Sequence, residues 1–471
     1  MNTGFNILKE SVIDVNLCTR CGTCIGVCPR DAVIVGDPLG MALPELIGDC
    51  TDCDAPCIIG CPAVSVDFPA LNEFTFPGEK SDYLFGVTKG HYIVHSNDQV
   101  TRQAAASGGA ITELNKYMLE KGLVDGVMTL IVTDDQPLLP RPEIITDVEQ
   151  LKLAQQSKYS IAPTNTILNQ LEDFDGMVSY VGLPCQIHSI RKLQMAGNKL
   201  AKKIKVIIGS YCGGLLYFSA ITDLLGKFKI TDISEIKKLE YRAGEWPGKT
   251  KITMNDGRTV ELEKFYANYM NLFYPVERCL TCTDLTSEFA DISAGDAWAP
   301  VYEGKGKGFS LIVTRTSIGN EIVNDCISDG YISSTEISRK DAITMHSHGL
   351  DNKKKGGFIR MSHLKMLGKP VPEYGYKPVK LGLSRNIIGA LISMAFLVGR
   401  TNIARKTVLL FSLESVGKVF KKARTLWKKF TTPERKKGIL SYDVETFPIE
   451  DKLKKQLDLA SREEQGNQHG A

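Results

Sequence analysis

Cysteine is the residue type in this chain whose number and spacing predict chemistry. The sequence carries 13 cysteines, and eight of them fall within residues 18–61. Thiolates separated by two or three residues usually hold a metal ion or a metal cluster. A disulfide scaffold is the alternative for such a density, but those scaffolds are short and this chain has 471 residues. The front of the chain is therefore expected to bind metal.

The eight cysteines form two runs that each end in Cys-Pro. The first run has the spacing with which bacterial ferredoxins hold 4Fe-4S clusters, and the second has one extra residue in its middle gap. A pair of zinc sites is the alternative, because zinc also takes four thiolates. The repeated Cys-Pro ending favours two iron–sulfur clusters. The runs are Cys18-x2-Cys21-x2-Cys24-x3-Cys28-Pro29 and Cys50-x2-Cys53-x3-Cys57-x3-Cys61-Pro62.

In bacterial ferredoxins the fourth cysteine of one run serves the cluster of the other run. Such clusters transfer single electrons and carry out no further chemistry, so the front of the chain is expected to be an electron wire. By the ferredoxin arrangement, one cluster takes Cys18, Cys21, Cys24 and Cys61, and the other takes Cys50, Cys53, Cys57 and Cys28.

Four further cysteines lie at turns in the middle of the chain. Cys185 and Cys212 each follow an apolar run, and Cys279 and Cys282 share one loop. Four thiolates suffice for a third 4Fe-4S cluster. Burial of Cys185 and Cys212 as small hydrophobic residues is the alternative, since free cysteine is among the most buried residue types. Cys326 stands alone and is expected to be structural.

The elements around these turns predict an α/β body. Apolar runs at residues 177–183 and 205–209 predict buried strands. Residues 110–119 and 186–193 follow turns and predict helices, and residues 249–263 predict a hairpin around Asn-Asp-Gly. The expected fold class is α+β, with a bacterial-ferredoxin-like module, an α/β flavin- and cluster-binding body and a helical basic extension.

Charge differs along the chain and supports three parts. Residues 1–70 carry three Lys and Arg against nine Asp and Glu, whereas residues 385–438 carry 13 against two. The formal net charge is only +3, and no nucleic-acid-reading module accompanies the basic segment, so no nucleic-acid partner is expected. The expected domains are residues 1–78, 79–378 and 379–471.

Several phrases of the body resemble the coenzyme F420 hydrogenase/dehydrogenase beta-subunit family. The phrases are ASGGAIT, QQSKY, GLPCQI, GSYCGG, CLTCTD and ADISAGDAW, in this order between residues 85 and 315. The resemblance implies one 4Fe-4S cluster on Cys185, Cys212, Cys279 and Cys282. It also implies FAD, which exchanges a hydride with coenzyme F420. A ferredoxin-like module in front resembles both the electron-input subunits of F420H2 dehydrogenase complexes and the bilin- and chlorophyll-type reductases of the same superfamily.

Three candidate contacts to FAD follow. Ser107-Gly108-Gly109 opens a predicted helix, whose free N–H groups suit a phosphate, and the resemblance makes it the pyrophosphate contact. A helix N-cap by Ser107 is the alternative. Lys158 is a candidate catalytic cation at the flavin, with a solvated lysine as the alternative. His188 is a candidate proton donor there, with a histidine on the helix surface as the alternative.

The expected function is oxidation of F420H2 at FAD. Flavin converts a hydride pair into single electrons, which then pass through the body cluster and the two front clusters to the redox subunits of a partner complex. One alternative is a ferredoxin-fed reductase of another organic substrate at the same flavin. Another is a non-catalytic electron-relay and docking subunit, which would keep the clusters without a working flavin pocket.

The basic extension has apolar residues at helical spacing among its lysines and arginines. Such helices lie on anionic membrane surfaces or dock on acidic partners. Helices that pack on the body with a solvated basic face are the alternative. The stretch without charge at residues 386–399 has 14 residues, short of the roughly 20 that a membrane span needs. With no secretory signal at residues 1–15, the expected location is the cytoplasm, peripheral at the inner face of the cell membrane.

Overall fold

The computed structural model describes residues 4–51, 53–263, 270–431, 439 and 442–459. Helices and strands are mixed along the chain, in agreement with the predicted fold class. The described helices are α1 Gly4–Leu8, α2 Thr23–Gly26, α3 Pro56–Gly60, α4 Phe68–Thr75, α5 Gln99–Ala104, α6 Ala110–Glu120, α7 Pro184–Met195, α8 Lys199–Lys202, α9 Ser219–Lys227, α10 Met270–Phe273, α11 Pro300–Glu303, α12 Ser317–Ser328, α13 Arg339–Met366, α14 Leu383–Gly399, α15 Asn402–Leu410 and α16 Leu413–Thr431. A π-helical turn covers Lys9–Ile13, and 3₁₀ helices cover Val148–Ala154, Thr164–Leu171, Ile233–Glu235 and Glu277–Thr281.

The strands confirm the predicted strands and hairpin of the body to within one or two residues. The described strands are β1 Val33–Gly36, β2 Leu43–Leu46, β3 Gly90–Ser96, β4 Gly126–Ile131, β5 Arg141–Ile145, β6 Val178–Gly182, β7 Ile204–Ser210, β8 Ile236–Ala243, β9 Lys249–Met254, β10 Thr259–Glu263, β11 Ile292–Asp296, β12 Ser310–Thr314, β13 Ile332–Glu336, β14 Tyr376–Pro378 and β15 Val444–Thr446.

A large sheet forms the centre of the body. Within the described residues its strand order is β13-β3-β12-β11-β7-β6-β4-β5. Strands β11, β7, β6 and β4 run parallel to their neighbours in this group, and the outer strands pair antiparallel. The carboxyl ends of the parallel strands therefore share one edge, where open α/β sheets bind their ligands.

Two tight turns shape the front module. Gly22 has a φ of 88° directly before α2, and an added Cβ there would meet the Pro163 oxygen at 2.8 Å. Ala55 has a φ of 44° directly before α3, which begins with Pro56. This left-handed residue accommodates the extra position in the second cysteine run.

A buried polar seam fixes the front module to the body. The Asn165 Nδ2 and the Ser189 Oγ both donate to the Thr23 Oγ1, at 2.8 and 2.6 Å. The Asn165 backbone N–H donates to the Cys21 oxygen at 3.0 Å. Asn165 is fully buried and also accepts from the Tyr180 hydroxyl at 2.5 Å. Because each group has a partner inside the protein, the seam has one favourable arrangement.

The C-terminal helices pack against the body along one side. Val416 of α16 is buried in an apolar cluster with Phe273 and Tyr274. The Arg385 guanidinium lies 2.8 Å from the Asp351 carboxylate, and the Arg405 Nε donates to the Phe273 oxygen at 2.7 Å. For one face of the extension, these contacts confirm the alternative in which its helices pack on the body.

Helix length and apolarity bear on whether the chain crosses a membrane. Among the described helices, no single one is long and apolar enough to do so, but α14 and α15 together meet the requirement across an 84° bend.

The polar seam generates a stability prediction. Replacing Asn165 with leucine leaves the Tyr180 hydroxyl and the Thr23 side chain without partners in a buried site, which should lower the free energy of unfolding by roughly 2–4 kcal/mol. Asn169→Leu is the matched control on the same 3₁₀ helix, because Asn169 is exposed. The control should stay within about 0.5 kcal/mol of the parent in urea unfolding. Equal effects of the two variants would contradict the seam.

Candidate functional site

Five cysteines of the front module line one small cavity of about 30 Å³. The second run enters this cavity from α3, opposite the first run. The Arg20 backbone N–H points at the Cys18 Sγ over 3.4 Å, as amides do toward cluster thiolates. Cys21 is buried and the others are half-buried. The five are Cys18, Cys21, Cys24, Cys57 and Cys61.

Burial makes these thiols weak acids while no metal is bound. It raises the pKa of Cys18 to about 11 and those of Cys57 and Cys61 to about 12. The pKa of Cys24 is also raised, first by burial and then by Cys21 and its other cysteine neighbours. Thiolates at these positions therefore need a positive metal centre, and metal binding should release protons.

The second run makes a further group around Cys57. After burial, the neighbouring Cys50 and Cys53 raise the pKa of the Cys57 thiol most, and Cys61 follows. Cys57 thus lies between the cavity of the first run and the loop of the second. Cys28, the fourth ligand expected for this group, is half-buried, and its role as a ligand stays a prediction.

The cysteines of the body come together as predicted. Cys185, Cys212, Cys279 and Cys282 line one cavity of about 30 Å³. Cys185 is in the first turn of α7, Cys212 follows β7, and Cys279 and Cys282 lie at the end of a 3₁₀ helix. The Leu215 backbone N–H points at the Cys279 Sγ over 3.4 Å. The alternative of Cys185 and Cys212 as separate core residues is therefore wrong, whereas Cys326 is buried in an apolar cluster.

The body group and the front group are neighbours across the polar seam. After burial, Cys21 is the strongest influence that raises the pKa of the Cys185 thiol, ahead of Cys279. Thr19 and Pro62 of the front module also line the body cavity. Two cysteine groups in direct contact can pass electrons between their clusters. Among the described residues, no three His, Cys, Asp or Glu side chains are placed to hold a single metal ion.

A much larger cavity, of about 480 Å³, opens at the carboxyl ends of the parallel strands. Its size is within the roughly 300–1,000 Å³ of small-molecule sites. It is lined by the ends of β6 and β7 at Gly182 and Ser210, and by Asp296 at the end of β11. Cys212 lines this cavity as well as the body cysteine cavity. The two sites therefore meet at one residue.

Cationic side chains surround part of the large cavity. Arg242 donates to both carboxylate oxygens of Asp296, at 2.9 and 2.8 Å, and the Trp246 Nε1 donates to the same carboxylate. Arg424 of α16 also lines the cavity and lies 3.4 Å from the His348 Nε2. A lining with arginines suits a ligand that carries phosphate or carboxylate groups.

The Ser107-Gly108-Gly109 turn lies on the cavity wall, with Ser107 and Gly109 lining it. Gly109 has a φ of 81° and is the N-cap of α6. An added Cβ on Gly108 would meet the Val94 oxygen at 2.6 Å. The Ser107 hydroxyl donates to the Phe309 oxygen at 2.7 Å, so the alternative of an N-cap by Ser107 is wrong.

Lys158 also lines the large cavity, so a fully solvated lysine is ruled out. Its ammonium donates to the Ala154 and Gln155 oxygens at 2.6 and 2.7 Å. Burial lowers the pKa of Lys158 to about 7. A ligand anion beside it would favour the charged ammonium and raise that pKa again.

His188 requires a correction. The side chain is buried, so the interpretation as a surface histidine on α7 is wrong. It lines the body cysteine cavity and lies 3.0 Å from the Asp284 carboxylate through its Nε2. The large cavity is lined from the other side of Cys212, which separates His188 from the predicted flavin contacts. A proton-donor role at the flavin is not supported by this location, because the neighbour of His188 is the cysteine group.

Sequence reasoning missed several residues of the large cavity. Arg242 follows an ordinary amphipathic strand, and His346 and His348 lie inside the long helix α13. Arg424 is one of many basic residues in α16, so no local signal distinguishes it. Only the fold brings these residues to the same wall.

The glycine turn generates a second stability prediction. Gly108→Ala forces a methyl group against the Val94 oxygen and the Ser310 nitrogen, and should destabilise the protein by about 1–3 kcal/mol. Gly226→Ala, inside α9 with open space around it, is the matched control and should be neutral or stabilising. Thermal unfolding measures both. A Gly108→Ala protein as stable as the control would show that the turn is not tightly enclosed.

Family descriptions match three parts of the chain. Residues 91–169 match the N-terminal part and residues 175–340 the C-terminal part of the coenzyme F420 hydrogenase/dehydrogenase beta subunit. Residues 10–62 match a 4Fe-4S dicluster domain. The last match confirms iron–sulfur chemistry at the front of the chain over the zinc alternative.

Known relatives carry related names. The coenzyme F420-dependent sulfite reductase of Methanocaldococcus jannaschii is 28% identical over 67% of this chain, but the match spans only 47% of that protein. The coenzyme F420 hydrogenase subunit beta of Methanosarcina barkeri is 27% identical over 51% of this chain and 80% of its own length. One of the subunits of the F420H2 dehydrogenase of Methanosarcina mazei is 27% identical over 66% and 82%.

A solved structure shares the fold. A chain of the F420-reducing NiFe hydrogenase complex from Methanosarcina barkeri matches with a TM-score of 0.50 and 22% identity. The match covers 62% of this chain and 98% of that one. From the matched residues on both sides of the cysteine turns, the chain belongs to the coenzyme F420 hydrogenase/dehydrogenase beta-subunit family, with a 4Fe-4S dicluster module in front.

Proposed function

We propose that the chain is the input subunit of a redox complex, which oxidises reduced coenzyme F420 at FAD and delivers single electrons through three 4Fe-4S clusters. One observation carries the proposal. The large cavity meets the body cysteine group at Cys212, and that group meets the front cysteines at Cys185 and Cys21. A cofactor in the cavity would therefore lie at the end of an uninterrupted row of cluster sites.

FAD supplies the conversion between a hydride pair and single electrons. The residues of the large cavity fit it in size and charge. The Ser107-Gly108-Gly109 turn holds the pyrophosphate, at the positive end of α6. Lys158 and Arg242 provide cations to anionic groups of FAD or of coenzyme F420. Asp296 orients Arg242 by two hydrogen bonds.

The cysteines hold the clusters. The body cluster binds Cys185, Cys212, Cys279 and Cys282. In the front module we assign the ligands as in bacterial ferredoxins. One front cluster takes Cys18, Cys21, Cys24 and Cys61, and the other takes Cys50, Cys53, Cys57 and Cys28.

The rest of the chain has proposed roles in the same scheme. Residues 1–78 are the ferredoxin-like domain, residues 79–378 the catalytic body and residues 379–471 a docking extension. The partners are other redox subunits, and the extension docks on an anionic membrane surface or an acidic partner. The location is the cytoplasm, at the inner face of the membrane.

The main prediction concerns the substrate. Anoxic protein reconstituted with iron, sulfide and FAD should convert F420H2 to the oxidised deazaflavin and reduce a viologen dye. Spectrophotometry follows both bands. The same protein without FAD is the control and should leave the dye oxidised, because the clusters do not accept hydride pairs.

The alternatives give different outcomes in this experiment. Protein that binds FAD and iron but does not react with F420H2 would support a ferredoxin-fed reductase of another organic substrate. Protein that binds iron but no flavin would support a relay and docking subunit. The size and cationic lining of the large cavity favour a flavin site over the relay.

The cluster assignment makes a separate prediction. Three 4Fe-4S clusters contain about twelve irons, so the Cys212→Ala protein should retain about eight. The matched control is Cys326→Ala, because Cys326 lies in an apolar cluster away from the other cysteines and should keep the full content. Iron analysis after anoxic reconstitution measures both. Equal iron in the two variants would contradict the body cluster.

A further inference from the structure

The exposed side of α14 is unusually apolar. The helix packs on α13 through Gly389, where an added Cβ would meet the Ile359 Cδ1 at 2.7 Å. The opposite side of α14 is exposed, with large apolar side chains that are 37–78% accessible. A run of such residues on one helix face indicates an interaction site. They are Leu383, Ile387, Leu391, Met394, Leu397 and Val398.

The apolar surface continues beyond the bend. Ile403 and Leu410 of α15 are 80% and 84% exposed, and Phe411 follows them. Because α14 and α15 meet at 84°, they present apolar side chains along two directions rather than along one straight rod. We name this surface, formed by the exposed apolar residues of α14 and α15 together with Phe411, the apolar face.

Basic residues accompany the apolar face. Residues 385–438 carry 13 Lys and Arg against two Asp and Glu. Lys406 of α15 is exposed, as are Lys418, Lys421 and Lys422 of α16. Helices with apolar side chains and nearby lysines lie in the plane of a bilayer surface, where the lysines reach anionic headgroups. This charge complementarity identifies an anionic lipid surface as the occupant.

We propose that the apolar face of α14 and α15 docks this chain on the surface of an anionic lipid bilayer. The apolar side chains enter the boundary between headgroups and acyl chains, and the lysines neighbour the headgroups. The residues involved lie after the last residue of the family match, 340, so the docking is a property of the extension. The proposal goes beyond the oxidation of F420H2 and does not depend on the identity of the substrate.

The test uses the full chain with its clusters and sedimentation with lipid vesicles. Vesicles of phosphatidylcholine mixed with phosphatidylglycerol should carry the protein into the pellet. Vesicles of phosphatidylcholine alone should retain at least about tenfold less, because the electrostatic contribution is missing. High salt should weaken the binding to the anionic vesicles, since it screens exposed charges.

Paired variants separate the apolar face from general stickiness. Leu391→Glu with Met394→Glu places two carboxylates on the face, and should lower vesicle binding by at least about tenfold. The charge-matched control is Val100→Glu with Met366→Glu, at two exposed apolar positions outside the extension. The control should bind as the parent does. Iron content and thermal unfolding verify that both double variants are folded.

The contrary results are clear. If the parent does not bind anionic vesicles, or if both double variants bind equally well, the lipid proposal is overturned. Loss of a soluble protein partner from the Leu391→Glu, Met394→Glu variant, without vesicle binding by the parent, would assign the face to a protein instead. Reaction with F420H2 is measured separately, so failure of either proposal is distinguishable from failure of the other.

Discussion

The hydrogen bonds around Thr23 are the interaction on which the proposed electron path depends. Asn165 and Ser189 both donate to the Thr23 hydroxyl, and the Asn165 backbone donates to the Cys21 oxygen. These bonds join the front module to the body in a buried region, where solvent does not replace a lost partner. The same contacts place Cys21 beside Cys185. A shift of the module would cost hydrogen bonds and would also separate the two cysteine groups.

Charge balance imposes the second constraint on the cluster sites. Four thiolates in a buried site bring negative charge, which is costly without nearby cations. Lys353 and Arg278 are buried beside the body cysteines, and the Lys353 ammonium donates to the Cys279 oxygen at 3.3 Å. Burial alone lowers the pKa of Lys353, but the negative potential of Cys282 and its neighbours outweighs burial and raises that pKa. Lysine and thiolates therefore stabilise one another's charged forms.

Sequence patterns predicted what depends on local spacing. The cysteine runs, the strands before Cys185 and Cys212 and the hairpin at residues 249–263 have short-range signals, and the structure agrees with them. The location of His188 could not be predicted in this way, because helical periodicity does not say whether a polar residue on a face meets solvent or a buried carboxylate. Arg242 and Arg424 are 182 positions apart in number and share a cavity only through the sheet and α16. Their shared role has no local pattern.

The large cavity has one side built by the family fold and another built by residues that follow it. The glycine turn, the strand ends and Cys212 lie within the family match, whereas His346, His348 and Arg424 lie after residue 340. The first side is bound to the cluster chemistry, because Cys212 belongs to both cavities. The second side has no cysteine among its residues, so it can change without breaking the electron path. Substrate preference is therefore more freely adjusted at α13 and α16 than at the strand ends, and α16 belongs to the same extension that carries the apolar face.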